Sequence, residues 1–412
     1  MKPMFTITDS DFSHERAVSQ LQAVARRGRE WLLEAAARQW RGEYKSEGFL
    51  FPERLSIHAE PDACLHRLFV QARHIFSYCE IGRLGWTGPW REMAEASADF
   101  LLRRGRRADG FFIHCFDDHG AVFDARADLY DQAFMLLAFA QIGQVTGRAK
   151  FFDAAEALDN ALDANWRLPH GGYFEGEIAQ CPPFRQNPHM HLLEAFIALE
   201  AATGAPRWKN NADHLARICE KSFVDPTTGA LLEYFDENLV PQPGVEGSIV
   251  EPGHCFEWAW LFERLALGGH SSATVISDRF VGFARARGID RKRGVAINEV
   301  LTNGAIRNAD ARLWPQAERL KAALARLDRT RDSTEVRETI DAFTGLFRYF
   351  DTPERGIWRD KLCANGSWVD EPAPGSSLYH ITCALAELCD AATNEDTFEE
   401  GCDMTGLKES RI

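Results

Sequence analysis

No Cys-x-x-Cys pair occurs among the ten cysteines, which stand apart at Cys64, Cys79, Cys115, Cys181, Cys219, Cys255, Cys363, Cys383, Cys389 and Cys402. Several fall within apolar helical stretches. That usage excludes a disulfide framework and predicts reduced, buried thiols in a cytoplasmic protein. No run of 18 apolar residues is present, so a membrane span is not expected. The start, Met1-Lys-Pro-Met-Phe-Thr-Ile-Thr, lacks the apolar stretch of a signal peptide. No segment is rich enough in Gly, Ser and Pro to act as a linker. One domain is therefore expected over 1–393, followed by a polar tail, 394–412, that frays. Basic residues are too few for nucleic acid or an anionic membrane to be the partner: 47 Lys and Arg stand against 61 Asp and Glu, a net charge of -14. Four chemical signatures are missing as well. There is no G-x-x-x-x-G-K-[ST] phosphate loop, no G-x-G-x-x-G after a strand, no G-x-S-x-G elbow and no H-E-x-x-H metal pair.

What is present is a long period. Six glycines precede an apolar or aromatic residue: Gly48-Phe49, Gly110-Phe111, Gly172-Tyr173, Gly229-Ala230, Gly294-Val295 and Gly356-Ile357. Their intervals are 62, 62, 57, 65 and 62 residues. Such a period means one supersecondary unit repeated six times.

Between the glycine pairs the chain reads as helix, loop, helix. Asp128 to Ile142, His189 to Ala202, His254 to Leu267 and Ser376 to Ala392 are apolar on most faces, as helices buried among helices must be. Asp62 to Ile81 and Leu313 to Leu327 are two further inner candidates. Ser13 to Trp40, Trp90 to Arg103 and Ala149 to Leu162 carry charge along one side and read as outer helices. Residues 108–124 and Asp360 to Asp370 read as short hairpins around Asp-Asp-His-Gly and Asn365-Gly366. The expected fold is all-α: an (α/α)6 barrel of six inner and six outer helices, with short β-hairpins at one end. An open helical solenoid is the alternative, although its commonest repeats run nearer 34 residues.

Three inner helices open on a histidine. His191 and His254 are 63 residues apart, and His254 and His380 are 126 apart, twice that interval. Equal phase in a closed barrel means equal height, so three imidazoles should meet at one rim. His191 with Glu194, and His254 with Glu257, stand at i, i+3 and share a helix face. A carboxylate there can fix the tautomer and hold the imidazole near or above neutrality, which suits general acid/base work. His189 and His191, at i, i+2, point to different faces, which argues against a metal site. Trp258, Trp260, Trp314 and Trp358 read mainly as core, with one or two available to stack on a sugar. Asp128, Asp131 and Asp360 leave a two-carboxylate glycosidase open, but the histidines are better organised.

At these residues the chain resembles the N-acylglucosamine 2-epimerase superfamily. The matching elements are Val70-Gln-Ala-Arg73, Asp128-Leu-Tyr-Asp-Gln-Ala-Phe134, Asn187-Pro-His-Met-His-Leu-Leu-Glu-Ala-Phe196, Pro252-Gly-His-Cys-Phe-Glu-Trp258, Trp314-Pro-Gln-Ala-Glu318 and Leu378-Tyr-His380. They span nearly the whole chain. The resemblance implies an (α/α)6 barrel that moves a proton α to a sugar carbonyl, with no cofactor and no metal. Leu-Tyr-His380 lacks the Lys-Cys-Pro-Tyr-His-Asn pattern of cellobiose epimerases and sits closer to the mannose isomerase branch.

By that resemblance His254 and His380 form the acid/base pair, and His191 matches a third histidine of the site. Arg73 would polarise a sugar oxygen, and Glu257 would support His254. Tyr130, Asp131, Asn187, Glu194, Trp314 and Glu318 would contact substrate. The expected reaction is aldose–ketose isomerisation of D-mannose, or a close analogue, to D-fructose through a cis-enediol(ate). His380 would serve C2/C1 transfer and His254 ring opening. A 2-epimerase acting on N-acylglucosamine and a non-catalytic sugar-binding barrel are the alternatives. The partner is a monosaccharide, and a homodimer stays open. Loops such as Gln242 to Val250 would read the ring substituents.

Overall fold

The computed structural model describes residues 14–62 and 64–393. The expected frayed tail, 394–412, lies outside the described residues, as does Ser13 at the expected start of the first helix.

The first helix, α1 (His14–Trp31), continues through a π-helical turn (Leu32–Ala36) to Ala37–Gln39. After it come α2 (Leu68–Arg83), α3 (Trp90–Phe100), α4 (Leu129–Thr146), α5 (Ala149–Asn165), α6 (Asn187–Thr203) and α7 (Pro206–Ile218). They are followed by α8 (Pro252–Leu267), α9 (Ala273–Arg287), α10 (Trp314–Thr330), α11 (Ser333–Phe347) and α12 (Ser377–Thr393). The even-numbered helices pack side by side in chain order, and α12 packs back on α2, so this inner ring has no free end. Each odd-numbered helix lies against an inner one: α3 on α2, α5 on α4, α7 on α6, α9 on α8, α11 on α10 and α1 on α12. The two layers follow from composition. Along α4 every residue from Asp131 to Gly143 is buried, as an element with neighbours on all sides requires.

The two ends of the ring differ. At one end inner helices turn directly into outer ones. Gly147 and Gly204 end α4 and α6 in the left-handed conformation (φ 68° and 66°), and the next helix begins two residues later. At the other end the connections are long and hold every described strand. His66–Arg67 pairs with Cys115–Phe116, Phe184–Arg185 with Tyr234–Phe235, Ile249–Val250 with Glu299–Leu301, and Ala311–Arg312 with Lys361–Leu362. Ala373–Pro374 returns to Arg54–Leu55. Each strand pair ties one connection to another, so the loops above the N-termini of the inner helices form a continuous collar.

The glycine period has a physical basis in this collar. Gln71 in α2 donates to the carbonyl of Phe51 (3.1 Å) and accepts its N–H (2.8 Å). Gln132 in α4 does the same to Phe112 (3.0 and 2.8 Å), and Gln316 in α10 to Ala296 (2.9 and 2.8 Å). The separation is 20 residues in all three. In the third unit His189 takes the position, accepting the N–H of Tyr173 at 2.9 Å. Each clamp satisfies backbone groups that burial would otherwise orphan.

One boundary differs from expectation. The helix expected from Asp62 begins at Leu68, because His66–Arg67 joins the strand Cys115–Phe116 and the Asp62 N–H donates to the Arg54 carbonyl (3.3 Å). Both hairpins are present: Cys115–Phe116 pairs with Val122–Asp124, and Leu362 bridges Trp368 across Asn365-Gly366.

Candidate active site

The N-terminal turns of the inner helices bring the expected residues to one end of the ring. Arg73 comes from α2, Tyr130 from α4, His191 from α6, His254 from α8, Trp314 and Glu318 from α10, and His380 from α12. Proline in the first turn of α6, α8 and α10 presets the helical backbone there at no loss of a hydrogen bond. The Trp314 ring lies between two of the histidines, its centroid 4.8 Å from that of His254 and 5.7 Å from that of His380. Gly253 makes this possible, since a Cβ there would stand 2.6 Å from the indole.

His254 is 5% exposed, and its Nδ1 lies 3.0 Å from Glu233 Oε2 and 3.8 Å from Glu251 Oε2. Glu233 itself receives Gln186 Nε2 (2.9 Å) and the Glu251 N–H (3.2 Å), both neutral donors. Burial opposes the charged imidazolium, but the two carboxylates outweigh it and raise His254 to about 10. The carboxylate expected to support His254 was Glu257. Glu257 acts on His254 only as a more distant charge, and Glu233, across the collar, holds the ring.

His380 is also 5% exposed, with Nδ1 2.6 Å from Glu318 Oε1. Burial pushes this imidazole well below the usual histidine value, and the charges of Arg73 and Lys321 push the same way. Both histidines engage a carboxylate through Nδ1, which leaves Nε2 of each for a substrate.

His191 sits deeper. Its Nδ1 is 3.1 Å from Glu194 Oε2 and 3.9 Å from Glu257 Oε1, and its ring packs against Phe134 (4.4 Å) and edge-on to Tyr130 (5.1 Å). Its charge was expected to sit near or above neutrality. Burial instead lowers it to about 4, so it is a neutral imidazole. Glu194 also accepts the Tyr379 hydroxyl. Burial and the neighbouring Glu318 raise Glu257 well above the usual carboxylate value.

Arg73 is 4% exposed and donates to Tyr130 Oη (2.7 Å) and the Ser376 carbonyl (3.2 Å). Its guanidinium stacks over Phe134 at 4.2 Å. Among the described residues no carboxylate lies within 4.0 Å of it, and Arg73 Nε has no hydrogen-bond partner in the protein. Asn187 Oδ1 is likewise buried and without one.

Asp131 does not join this group through its carboxylate. It accepts His114 Nδ1 (2.7 Å) and the Phe69 N–H (3.1 Å), and burial lifts it to about 7. Asp128 caps α4 by accepting the Tyr130 N–H (2.8 Å), and Asp360 accepts from Ser377 (3.2 Å). The three carboxylates considered for glycoside chemistry are thus engaged with the scaffold.

Sequence reasoning missed Glu233 and Lys321. A signal existed for the first. Glu53, Glu175, Glu233 and Asp360 each follow a periodic glycine by three to five residues, and all are buried. Three of them hold an arginine (Arg67, Arg185 and Arg312), and Glu233 holds His254 instead. Lys321, fully buried in α10, lies 2.9 Å from Glu318 Oε2. Three sets of side chains could approach a shared cation: His191, Glu194 and Glu257; Glu233, Glu251 and His254; and Glu257, Glu318 and His380. In each the imidazole Nδ1 already meets a carboxylate at hydrogen-bond distance (3.1, 3.0 and 2.6 Å).

The described helices include none long and apolar enough to cross a membrane. Residues 51–384 match the model of the N-acylglucosamine 2-epimerase (GlcNAc 2-epimerase) family, and the chain belongs to that family. It is a sugar isomerase or epimerase. A mannose-6-phosphate isomerase of Rhizobium meliloti (strain 1021) is 38% identical over 369 residues, covering 87% of this chain and 95% of that relative. A D-mannose isomerase of Marinomonas mediterranea is 23% identical, covering 81% and 88%. The crystal structure of a D-mannose isomerase superposes with a TM-score of 0.78 at 20% identity, covering 94% of this chain and all of that one. At that identity the superposition speaks for the fold.

Proposed function

We propose that the chain interconverts D-mannose, or a close analogue, and D-fructose by histidine acid/base catalysis in the cytoplasm. The closed helical ring is read as an (α/α)6 barrel, one catalytic domain with its site at the collar. One arrangement carries the mechanism: two histidines flank one tryptophan, in surroundings that favour charge on His254 and oppose it on His380. Environments that push two titratable groups apart mark an acid and a base. His254, held protonated by Glu233 and Glu251, gives its Nε2 proton to the ring oxygen and takes up the O1 proton, which opens the ring and restores the imidazolium. His380, neutral, takes the C2 proton as charge develops on O1. The proton on its Nε2 exchanges with solvent at the enediol(ate) stage, and His380 then protonates C1 while the O2 proton passes to O1, which leaves a ketone at C2. Arg73 faces the developing negative charge, and its unmatched Nε together with Asn187 Oδ1 suits a polyol. Trp314 offers a face on which the sugar ring can stack.

The 6-phosphate ester is the second reading. Arg67, Arg185 and Arg312 stand on strands just before α2, α6 and α10, each partly exposed and each held by a buried carboxylate. D-mannose, its 6-phosphate and N-acyl-D-glucosamine should be incubated in deuterium oxide and followed by NMR. Fructose or its 6-phosphate supports the proposal and selects the substrate. An epimer formed without ketose overturns it in favour of 2-epimerisation.

A further inference from the structure

His254 and His380 pose a comparison. Each directs Nδ1 at a buried carboxylate oxygen, at 3.0 Å from Glu233 and 2.6 Å from Glu318. The closer carboxylate should attract the proton more strongly, yet the two sites are poised the other way round. Glu251 adds a second carboxylate at His254 and Arg73 a cation near His380, and a further part of the difference lies behind the two carboxylates. Glu233 is met by neutral donors, Gln186 Nε2 and the Glu251 N–H, and among the described residues no lysine or arginine lies within 4.0 Å of it. Its whole charge faces His254. Glu318 has Lys321 Nζ 2.9 Å from its other oxygen.

Lys321 is an unusual residue to find there. It is fully buried in the middle of the inner ring, on a helix turn otherwise made of Leu320, Ala322 and Ala323. Its ammonium lies 3.9 Å from the centroid of the Trp260 ring, and Trp260 Nε1 donates to Glu387 at 3.3 Å. The lysine is thus walled off from water on the side away from Glu318. A cation is costly to bury, and this one is in contact with one carboxylate, Glu318, with Glu194 and Glu257 acting on it as more distant charges.

We propose that Lys321 is a positioning residue for His380: by neutralising the far oxygen of Glu318, it lets that carboxylate orient the imidazole without drawing a proton onto it. The charged or titratable groups facing His380 are Arg73 from α2, His191 and Glu194 from α6, Glu257 from α8, Glu318 and Lys321 from α10, and Tyr379 beside it on α12, its ring 5.0 Å away edge-on. Of these, Glu318 alone hydrogen-bonds the imidazole. Removing the lysine releases its charge, and His380 becomes an imidazolium that cannot accept the C2 proton near neutrality. Arginine would not substitute, because a guanidinium needs more room than an ammonium packed between an indole and a carboxylate.

The inference rests on the acid/base role proposed for His380, but it is read on the imidazole itself. The full chain is labelled with ¹⁵N-histidine, and His380 is assigned by the signal lost in His380→Asn. In the parent at pH 6 the ring should show one pyridine-type nitrogen, the mark of a neutral imidazole. In Lys321→Met, and in Lys321→Gln, it should become an imidazolium, its titration moved from well below pH 6 to above it. The double variant Lys321→Met/Glu318→Gln carries neither buried charge and should return the neutral ring even if the single variants fail to fold. A neutral ring persisting in a folded single variant overturns the inference, and so does an imidazolium in the double variant. A parent chain inactive on every sugar would remove the catalytic role while leaving this comparison intact.

Discussion

Glu233 Oε2 meets Nδ1 of His254 at 3.0 Å across 21 residues of chain, joining the collar to the first turn of an inner helix. This contact sets His254 apart from the other two histidines of the site. With its ordinary value near 6.5 raised to about 10, His254 stays protonated through the neutral range. Activity should therefore hold across neutral pH and fall as pH rises through about 10. In Glu233→Gln that alkaline limb should move down by about 1–3 pH units, whereas Glu257→Gln should leave it nearer its original place. A pH profile of kcat/KM for the three proteins checks this. An alkaline limb shifted by Glu257→Gln alone would return the supporting role to the residue first expected.

Gly253 and Trp314 give a steric test. A methyl group at 253 would stand 2.6 Å from the indole, so Gly253→Ala must displace the ring that lies between His254 and His380. Misplacing a group that positions substrate costs on the order of 10²-fold in rate. kcat/KM should drop by about that factor while the far-ultraviolet helical signal is unchanged. Parent activity in this variant would mean that Trp314 plays no part in positioning.

The glutamine clamps make a prediction about stability. Gln132→Leu leaves the N–H and C=O of buried Phe112 without partners, a loss of roughly 1–3 kcal/mol per group. Thermal melts should show a lower midpoint, Gln316→Leu should behave alike because its geometry repeats, and Gln71→Leu should cost less because His66 Nδ1 still meets the Phe51 carbonyl at 3.1 Å. A midpoint unchanged in all three would show that the clamps do not hold the collar to the ring.

Acid should weaken the fold in a defined window. Burial lowers His74, His189 and His191 from 6.5 to about 4. Each stays neutral when folded but takes a proton when unfolded, so its stabilisation is full above about 6.5 and is lost as pH falls toward 4. Each shift corresponds to roughly 3 kcal/mol. Asp131 and Glu251, each raised to about 7, and Glu257, raised well above its usual value, titrate in the opposite sense, so the histidine contribution is read as a difference between two proteins. The melting temperature of the parent relative to that of His74→Gln should decline from pH 6.5 to 4. A flat difference over that range would contradict the burial of this ring.

Much of this was legible in the sequence because a repeat turns position into height. The spacing of His191, His254 and His380 placed them at one end, and the apolar helices identified the inner ring. Partners that reach across the ring were not legible. Helical spacing suggested Glu257 for His254, since i, i+3 neighbours share a face, but the collar brings Glu233 closer from another element. The charge state of His191 was misjudged for the same reason: spacing shows a carboxylate beside the ring and says nothing of burial by Phe134 and Tyr130. Lys321 gave no signal, because a lysine in a helix is ordinarily taken for surface. The start of α2 was misplaced because pairing of His66–Arg67 with Cys115–Phe116 is a long-range event that local pattern does not record.

The most direct test of the account follows deuterium from solvent into sugar. D-mannose, or the aldose selected by the substrate panel, is incubated in deuterium oxide with the parent chain and with His380→Gln. The parent should form ketose carrying deuterium at C1. His380→Gln should slow both ketose formation and deuterium uptake by about 10²–10⁴-fold with the helical signal intact. Ketose formed by His380→Gln at the parent rate would contradict the assignment of the C2 and C1 proton to His380.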